Sequence, residues 1–175
     1  MAVLQRNYGQ GLETMEFRIK GILLLCCVLV VTVYLIITAI EDSKSYEVTR
    51  IKHLYGFVPA GVCILLYIRD RSLFDIGIIA LFVIVCLLIG MKGIYGMADG
   101  FVFANLTLLF GGVGGTAGIG LVILIMILAC FSGMTEMLLR KMVSLAAFRQ
   151  NRHIAFVPHI LAGYIAVMIA LFIWF

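Results

Sequence analysis

The sequence predicts an all-α membrane protein, in which about six transmembrane helices form one bundle and residues 1–175 make a single domain. The first observation is composition: 64% of the residues are hydrophobic and 13% are charged, whereas a soluble domain has about 45–50% apolar and about 25% charged residues. The second is a series of charge-free apolar runs, several of them about as long as a lipid bilayer is thick. Together they exclude a water-soluble enzyme, a disordered chain and a disulfide scaffold.

The first apolar run, residues 21–40, has 20 residues without a charge. As a helix it measures ~30 Å, the thickness of the bilayer core. A signal peptide has a shorter apolar region of about 7–15 residues and ends in small residues, but this run ends in Ile40-Glu41-Asp42. We therefore expect it to remain as the first transmembrane helix, preceded by a tail at residues 1–20 with a weak amphipathic pattern.

The other spans follow from the same counting of charge-free residues. A run of 36 residues, 100–135, would be ~54 Å long as one helix, too long for a single crossing. The glycine cluster at 111–115 predicts a break inside it. Pro59 would kink the second span unless neighbouring helices satisfy its backbone. The predicted further spans lie near residues 53–68, 76–91, 100–110, 119–137 and 154–175.

The distribution of Lys and Arg predicts the orientation. Eight of the 13 basic residues fall in the loops on the side where the first helix ends. The positive-inside rule therefore predicts that this side faces the cytoplasm. We expect a multi-pass protein of the cell (inner) membrane that contacts the lipid bilayer, and a net charge of +4 gives no reason to expect nucleic acid as a partner.

The cysteines and histidines have structural interpretations. All five Cys lie inside apolar runs without a C-x-x-C pair, so they are predicted to be small buried hydrophobes, and we expect neither a metal site nor a cofactor. His53 and His159 are interpreted as interfacial or core histidines bonded to backbone. Asn105 lies about 240° around the helix from Asp99 and is expected to bond another helix.

Asp99 and the adjacent acids Glu41 and Asp42 are the ones whose positions need a reason, because acids inside or at the ends of spans are costly. Asp42 closes the first helix, where the helix dipole disfavours a negative charge. Asp99 is flanked by the small residues Gly96, Ala98 and Gly100, which leave room for another backbone, for substrate and for water. By the counted spans, both aspartates lie at the same membrane face.

Two other acids have simpler interpretations. Asp75 is expected near a helix N-terminus, where the dipole favours a negative charge. Glu136 precedes Arg140 by four residues, the favourable order for an ion pair on one helix face. Neither is predicted to take part in chemistry.

Aspartic proteolysis requires at least two aspartate side chains, and here they would come from different helices. One takes a proton from water while the other donates a proton to the peptide carbonyl oxygen, and two such close carboxyl groups share a proton because both cannot ionise comfortably. Asp99 begins a helix and is the expected base, whereas Asp42 ends one and is the expected acid. The residues alone leave two alternatives open: a carboxylate pair for proton or ion passage, and a pair that only holds the bundle together.

Three short elements occur in order along residues 40–175. Asp42 is followed six and seven residues later by Val48 and Thr49. Gly96-Met97-Ala98-Asp99 is followed by Ala104 and Gly111, and Ile154-Ala155-Phe156-Val157-Pro158-His159 opens the last apolar run, with Gly163 beyond it. In order and spacing, this pattern resembles the type IV prepilin leader peptidases, which are GxGD membrane aspartyl proteases.

The resemblance implies an intramembrane-type aspartic endopeptidase with Asp42 and Asp99 as its catalytic pair. Its supporting residues would be Gly96, Met97, Ala98, Gly100 and Pro158. It also implies the substrate: a short basic leader would be removed from prepilin or pilin-like proteins at the cytoplasmic face, in type IV pilus assembly or protein secretion.

The chain differs from the family's usual pattern at several positions. Ala98 stands in place of the second glycine of GxGD, Thr49 in place of a proline and Phe101 in place of a common lysine. Larger members carry a zinc-binding insertion with paired C-x-x-C, and this sequence is similar to the short, peptidase-only form that lacks it. The alternative function is a non-catalytic transport or assembly subunit that uses the same acids for proton passage or helix packing.

Overall fold

The computed structural model describes residues 2–45, 48, 52–92, 96–143 and 155–174. In these ranges the chain forms six α-helices, and a short 3-10 turn at Ile68–Asp70 follows the second. The predicted all-α class is therefore confirmed. The helices are α1 (Ala2–Ser45), α2 (His53–Tyr67), α3 (Leu73–Met91), α4 (Met97–Gly114), α5 (Thr116–Val143) and α6 (Val157–Trp174).

Five of these helices are long and apolar enough to cross a membrane, so this is a multi-pass membrane protein. The helix that falls short is α2, whose 15 residues measure ~22 Å. Its position matches the predicted second span, and Pro59 lies inside it without ending it. Large apolar side chains such as Leu65 and Phe172 are exposed on the outer faces of the helices, where lipid would surround them.

The helix ends differ from the predicted spans in two informative ways. Helix α1 begins at Ala2 instead of residue 21, so the predicted tail is a continuation of the first helix. The first 45 residues contain no proline, and nothing local interrupts the helix once it has formed. Helix α4 begins at Met97, which places Asp99 inside its first turn.

The predicted break in the long charge-free segment is confirmed. Helix α4 ends at Gly114 and α5 begins at Thr116. Between them Gly115 has a φ of 59°, a left-handed conformation that glycine adopts without the steric cost of a side chain. A single residue therefore separates α4 from α5.

Helix α4 is the centre of the bundle and packs against α2, α3 and α5. In its membrane-spanning window 67% of the residues are buried, compared with at most 33% in the other spans. In its first turn Asp99 and Gly100 are buried, whereas Met97 is exposed.

The crossing of α3 and α4 is close because two glycines face each other beside Asp99. A Cβ at Gly100 would lie 2.9 Å from the carbonyl oxygen of Cys86 and 3.2 Å from Gly90 Cα. Any side chain there would overlap backbone atoms of the neighbouring helix. The predicted close approach of another backbone beside Asp99 is thus confirmed.

The opposite end of the bundle holds the predicted helix-terminal acid. The Asp75 N–H donates to Ser72 Oγ at 3.1 Å, which caps α3. The N–H of Thr116 donates to Asp75 Oδ1 at 3.2 Å, so the same carboxylate joins the starts of α3 and α5. Its structural interpretation is confirmed.

The cysteine prediction is correct for three residues and wrong for two. Cys27, Cys63 and Cys86 are buried, but Cys26 and Cys130 are exposed. In a membrane protein the outward face of a helix is as apolar as its inward face, so an apolar run does not reveal which of its members are buried.

Gly100→Ala is expected to lower the free energy of unfolding by about 1–3 kcal/mol, because the added methyl overlaps α3 backbone. Gly77→Ala in α3 is the matched control: no atom lies within 4 Å of its added methyl, and alanine favours the helix over glycine. Thermal unfolding in detergent measures both. Equal unfolding midpoints for the two variants would contradict the close crossing.

Candidate active site

Asp42 and Asp99 lie at the same end of the bundle, as predicted. Asp42 is in the last turn of α1 and Asp99 in the first turn of α4. Their residues are 8% and 5% exposed, respectively. Two buried carboxyl groups from different helices therefore lie at the end of the bundle where α1 ends and α4 begins.

Asp99 is held by the backbone that precedes its own helix. Its Oδ2 accepts a hydrogen bond from the Gly96 N–H at 2.9 Å. A Cβ at Gly96 would lie 2.9 Å from the same Oδ2, so the absence of a side chain there lets the carboxylate approach the backbone. Ala98 lies within the right-handed helix, where an alanine adds no backbone strain. The departure from the second glycine of GxGD is therefore accommodated.

Asp42 is held by the start of a different helix. Its Oδ2 accepts the Val157 N–H at 3.0 Å, and Val157 is the first residue of α6. Pro158 follows in the first helical turn, where its missing N–H leaves no helical hydrogen bond unmade. The carboxylate therefore satisfies one of the free N–H groups at the α6 N-terminus.

This contact reduces the predicted difference between the two acids. The sequence argument considered only the C-terminus of α1, whose dipole disfavours the Asp42 anion. The N-terminus of α6 acts on the same carboxylate in the opposite direction. Asp99 has only the favourable N-terminus of α4, so the helix dipoles still favour its anion, by less than the sequence argument assumed.

A second polar cluster, which the sequence analysis did not predict, lies beside Asp42. His159 Nδ1 lies 2.9 Å from Ser132 Oγ, and its Nε2 lies 2.9 Å from Glu136 Oε2. Glu136 also pairs with Arg140 on the same helix, as predicted. The buried His159 is thus fixed by side chains of α5, whereas backbone partners were predicted. The four-residue spacing of Ser132 and Glu136 is the signal that could have identified this cluster.

A third polar group links α1, α2 and α4 through buried side chains. Tyr34 Oη lies 2.7 Å from His53 Nδ1, and Asn105 Nδ2 donates to Tyr34 Oη at 3.4 Å. The predicted link of Asn105 to another helix is confirmed. His53 stacks on Phe101, with 4.8 Å between ring centroids. Space for this group exists because Gly56 lacks a side chain, whose Cβ would lie 2.5 Å from Asn105 Nδ2.

Two residues of the motifs, Thr49 and Ile154, lie outside the described residues. A third motif residue, Met97, is exposed. Among the residues that the structure describes, no group of three or more His, Cys, Asp or Glu side chains could hold a metal ion.

Tyr34→Phe is expected to destabilise the fold by about 1–3 kcal/mol, because it leaves buried polar atoms of His53 and Asn105 without their partner. Tyr164→Phe is the matched control, since the Thr32 hydroxyl that contacts Tyr164 also donates to the Val28 carbonyl. Thermal unfolding of both variants tests this. Equal destabilisation by Tyr164→Phe and Tyr34→Phe would contradict the expected larger contribution of the buried Tyr34 group to stability.

Comparison with models of known protein families, with curated proteins and with solved structures finds no match for this chain. Function is therefore argued from the geometry of the two aspartates and from the resemblance of the three sequence elements.

Proposed function

We propose that this protein is a membrane aspartic endopeptidase with Asp42 and Asp99 as its catalytic pair. The observation that carries the proposal is the burial of two carboxyl groups, from α1 and α4, at one end of a membrane bundle. Two like charges in a shared, poorly solvated site favour a state in which the pair holds one proton. A pair with one proton has both the base and the acid that peptide hydrolysis requires.

The chemistry assigns one task to each carboxyl group. The ionised carboxylate takes a proton from water as the water oxygen bonds to the peptide carbonyl carbon. The protonated carboxyl group donates its proton to the carbonyl oxygen. The C–N bond then breaks as the leaving nitrogen takes a proton from the pair. One hydroxyl group of the intermediate returns its proton to the pair as the carbonyl bond re-forms, which leaves a carboxylic acid, an amine and a pair with one proton. The close approach of Gly90 and Gly100 fixes α4 against α3 and so keeps Asp99 in place.

The substrate class comes from the resemblance to the type IV prepilin leader peptidases. The protein would remove a short basic leader from prepilin or pilin-like substrates at the cytoplasmic face of the inner membrane, for pilus assembly or secretion. The position of the pair supports this choice, because both aspartates lie at the end of their membrane-spanning helices. A bond between a water-exposed leader and an apolar helix would lie at the same depth.

A specific observation favours a second candidate, a transport or assembly subunit without catalysis. Each aspartate accepts a backbone N–H at a helix N-terminus, Gly96 for Asp99 and Val157 for Asp42. Such contacts stabilise helix ends whether or not any reaction takes place. In this alternative the pair holds α1, α4 and α6 together or passes protons.

Asp42→Asn and Asp99→Asn are each expected to abolish cleavage while the protein stays inserted and folded. Asparagine is nearly isosteric and its side-chain oxygen still accepts the backbone N–H, but it can be neither base nor acid. The double variant is expected to be no worse than either single one, because the two groups act as a unit. The measurement is cleavage of a model substrate, a basic leader joined to an apolar helix of about 20 residues, by purified protein in detergent.

Asp75→Asn is the matched control for this experiment. It replaces an aspartate that also accepts a backbone N–H at a helix N-terminus, but at the opposite end of the bundle. We expect it to retain wild-type cleavage. Near wild-type cleavage by Asp99→Asn, or none by the wild type, would reject the peptidase and favour the transport or assembly subunit.

A further inference from the structure

An apolar cavity lies between four helices at the end of the bundle away from the two aspartates. Its volume is about 380 Å³, and its walls are almost entirely apolar. The walls come from α1, from the end of α4, from the start of α5 and from the end of α6, and include Leu24, Gly114, Leu121 and Leu171. The proposed reaction uses no part of this cavity.

The apolar walls limit what can fill the cavity. Water is a poor occupant, because a buried water molecule needs several polar partners. An empty cavity is also unfavourable, since the atoms of its walls lose van der Waals contacts. Leu24, Leu121 and Leu171 are only partly buried, so the cavity opens between the helices, where the bilayer supplies hydrocarbon chains. The walls therefore favour an apolar chain from the bilayer.

The size and depth of the cavity fit a lipid acyl chain. A cavity of about 150 Å³ holds a benzene ring, so one of about 380 Å³ can hold a longer chain segment. Lys20 is the last charged residue before the apolar run of α1, and the distance from Lys20 to Val28 along the helix is ~12 Å. The hydrocarbon of one leaflet is ~15 Å deep. A protein helix, which is ~10 Å wide, would need far more volume over the same depth.

A basic side chain lies at the membrane edge above the cavity. Lys20, Leu24 and Val28 are spaced by four residues and therefore lie along one face of α1, and the last two line the cavity. Lys20 Nζ lies 3.7 Å from Asp70 Oδ2, in a pair whose side chains are both partly exposed. An ammonium group has several N–H donors, so this weak pair does not prevent contact with a lipid phosphate.

The described side chains at this end of the bundle carry more positive than negative charge. The charged ones are Arg18, Lys20, Arg69, Arg71, Asp70 and Asp75. Arg71 donates to the carbonyl oxygen of Val113, which is one of the cavity's wall residues. Basic groups at a membrane surface attract anionic lipids. The cavity is therefore combined with a surface that favours a negative headgroup.

We propose that the cavity binds one acyl chain of an anionic phospholipid, whose phosphate contacts Lys20. The chain fills the space between α1, α4, α5 and α6, and the headgroup lies at the basic end of the bundle. A lipid that binds only the folded protein stabilises the fold. The site is separate from the two aspartates, so the inference holds whether or not the protein is a peptidase.

The test is native mass spectrometry of the purified full-length protein in detergent, with phosphatidylglycerol and phosphatidylcholine that have the same acyl chains. Phosphatidylglycerol is anionic, whereas phosphatidylcholine has no net charge. The wild type is expected to bind one phosphatidylglycerol molecule, and to bind phosphatidylcholine about fivefold more weakly or less, since one basic residue near the surface accounts for a factor of that size.

Gly114→Phe is expected to weaken the binding of both lipids by about tenfold or more, because the ring occupies the space of the chain. No atom lies within 4 Å of a Cβ at Gly114, so the substitution meets no neighbour at that atom. Gly120→Phe is the matched control: its Cβ also has no atom within 4 Å, and Gly120 lies outside the cavity walls. It should bind both lipids as the wild type does.

Lys20→Gln tests the headgroup. It should weaken the binding of phosphatidylglycerol by about fivefold and leave that of phosphatidylcholine unchanged. Lys44→Gln is the matched control, because Lys44 is exposed on the same helix at the opposite end of the bundle. It should leave the binding of both lipids unchanged.

Three results would each overturn the inference: no lipid bound to the wild type, equal lipid binding by Gly114→Phe and Gly120→Phe, or equal affinity of the wild type for the two lipids. Wild-type affinity of Lys20→Gln for phosphatidylglycerol would overturn the contact with the phosphate. If Gly114→Phe does not fold, Gly114→Leu makes the same test against Gly120→Leu.

Discussion

The hydrogen bonds that helix N-termini donate to two buried carboxyl groups constrain the rest of this bundle. Asp99 accepts the Gly96 N–H before α4, and Asp42 accepts the Val157 N–H at the start of α6. In a lipid-embedded protein little water is present to satisfy either the acids or the free N–H groups. The Asp42 contact therefore fixes the start of α6 against the end of α1, although the two residues are 115 positions apart in the chain. The Asp99 contact is made within the start of α4 and holds that carboxyl group in place.

Small residues make this meeting possible, because helices in a membrane associate by close packing and not by exclusion of water. Gly90 and Gly100 bring α3 and α4 into backbone contact beside Asp99. Gly56 leaves the volume that Tyr34 and Asn105 fill. In both cases a missing side chain on one helix allows polar groups to lie between helices. The buried polar side chains thus need the space that the neighbouring glycines leave.

The cap contacts are compatible with both proposed functions, but the burial of both acids favours the catalytic proposal. An asparagine would cap a helix without a buried carboxyl group. Burial of Asp42 and Asp99 at one end of the bundle costs free energy that a packing role does not require. The buried His159, held by Ser132 and Glu136, adds a further polar group at this end. Strained or costly arrangements of this kind are concentrated at functional sites.

The helix positions could largely be predicted, since an apolar run without charges has few other structures open to it in a bilayer. The break at Gly115 was predictable because glycines weaken helices and adopt positive φ. The common membrane face of Asp42 and Asp99 followed from counting helices. The N-terminal extension of α1 was missed, because polar residues show where a membrane span ends but not where a helix ends.

By itself, then, the sequence determined an all-α membrane bundle, the number of its helices and the end of the bundle at which the two aspartates lie. These features depend on local composition and on the thickness of the bilayer. Only the tertiary structure decided that Asp42 caps α6 and that His159 faces Ser132 and Glu136. It also decided which cysteines are buried. These contacts join residues of different helices, and they depend on how each helix is rotated about its axis, which an apolar sequence surrounded by apolar lipid does not encode in its pattern.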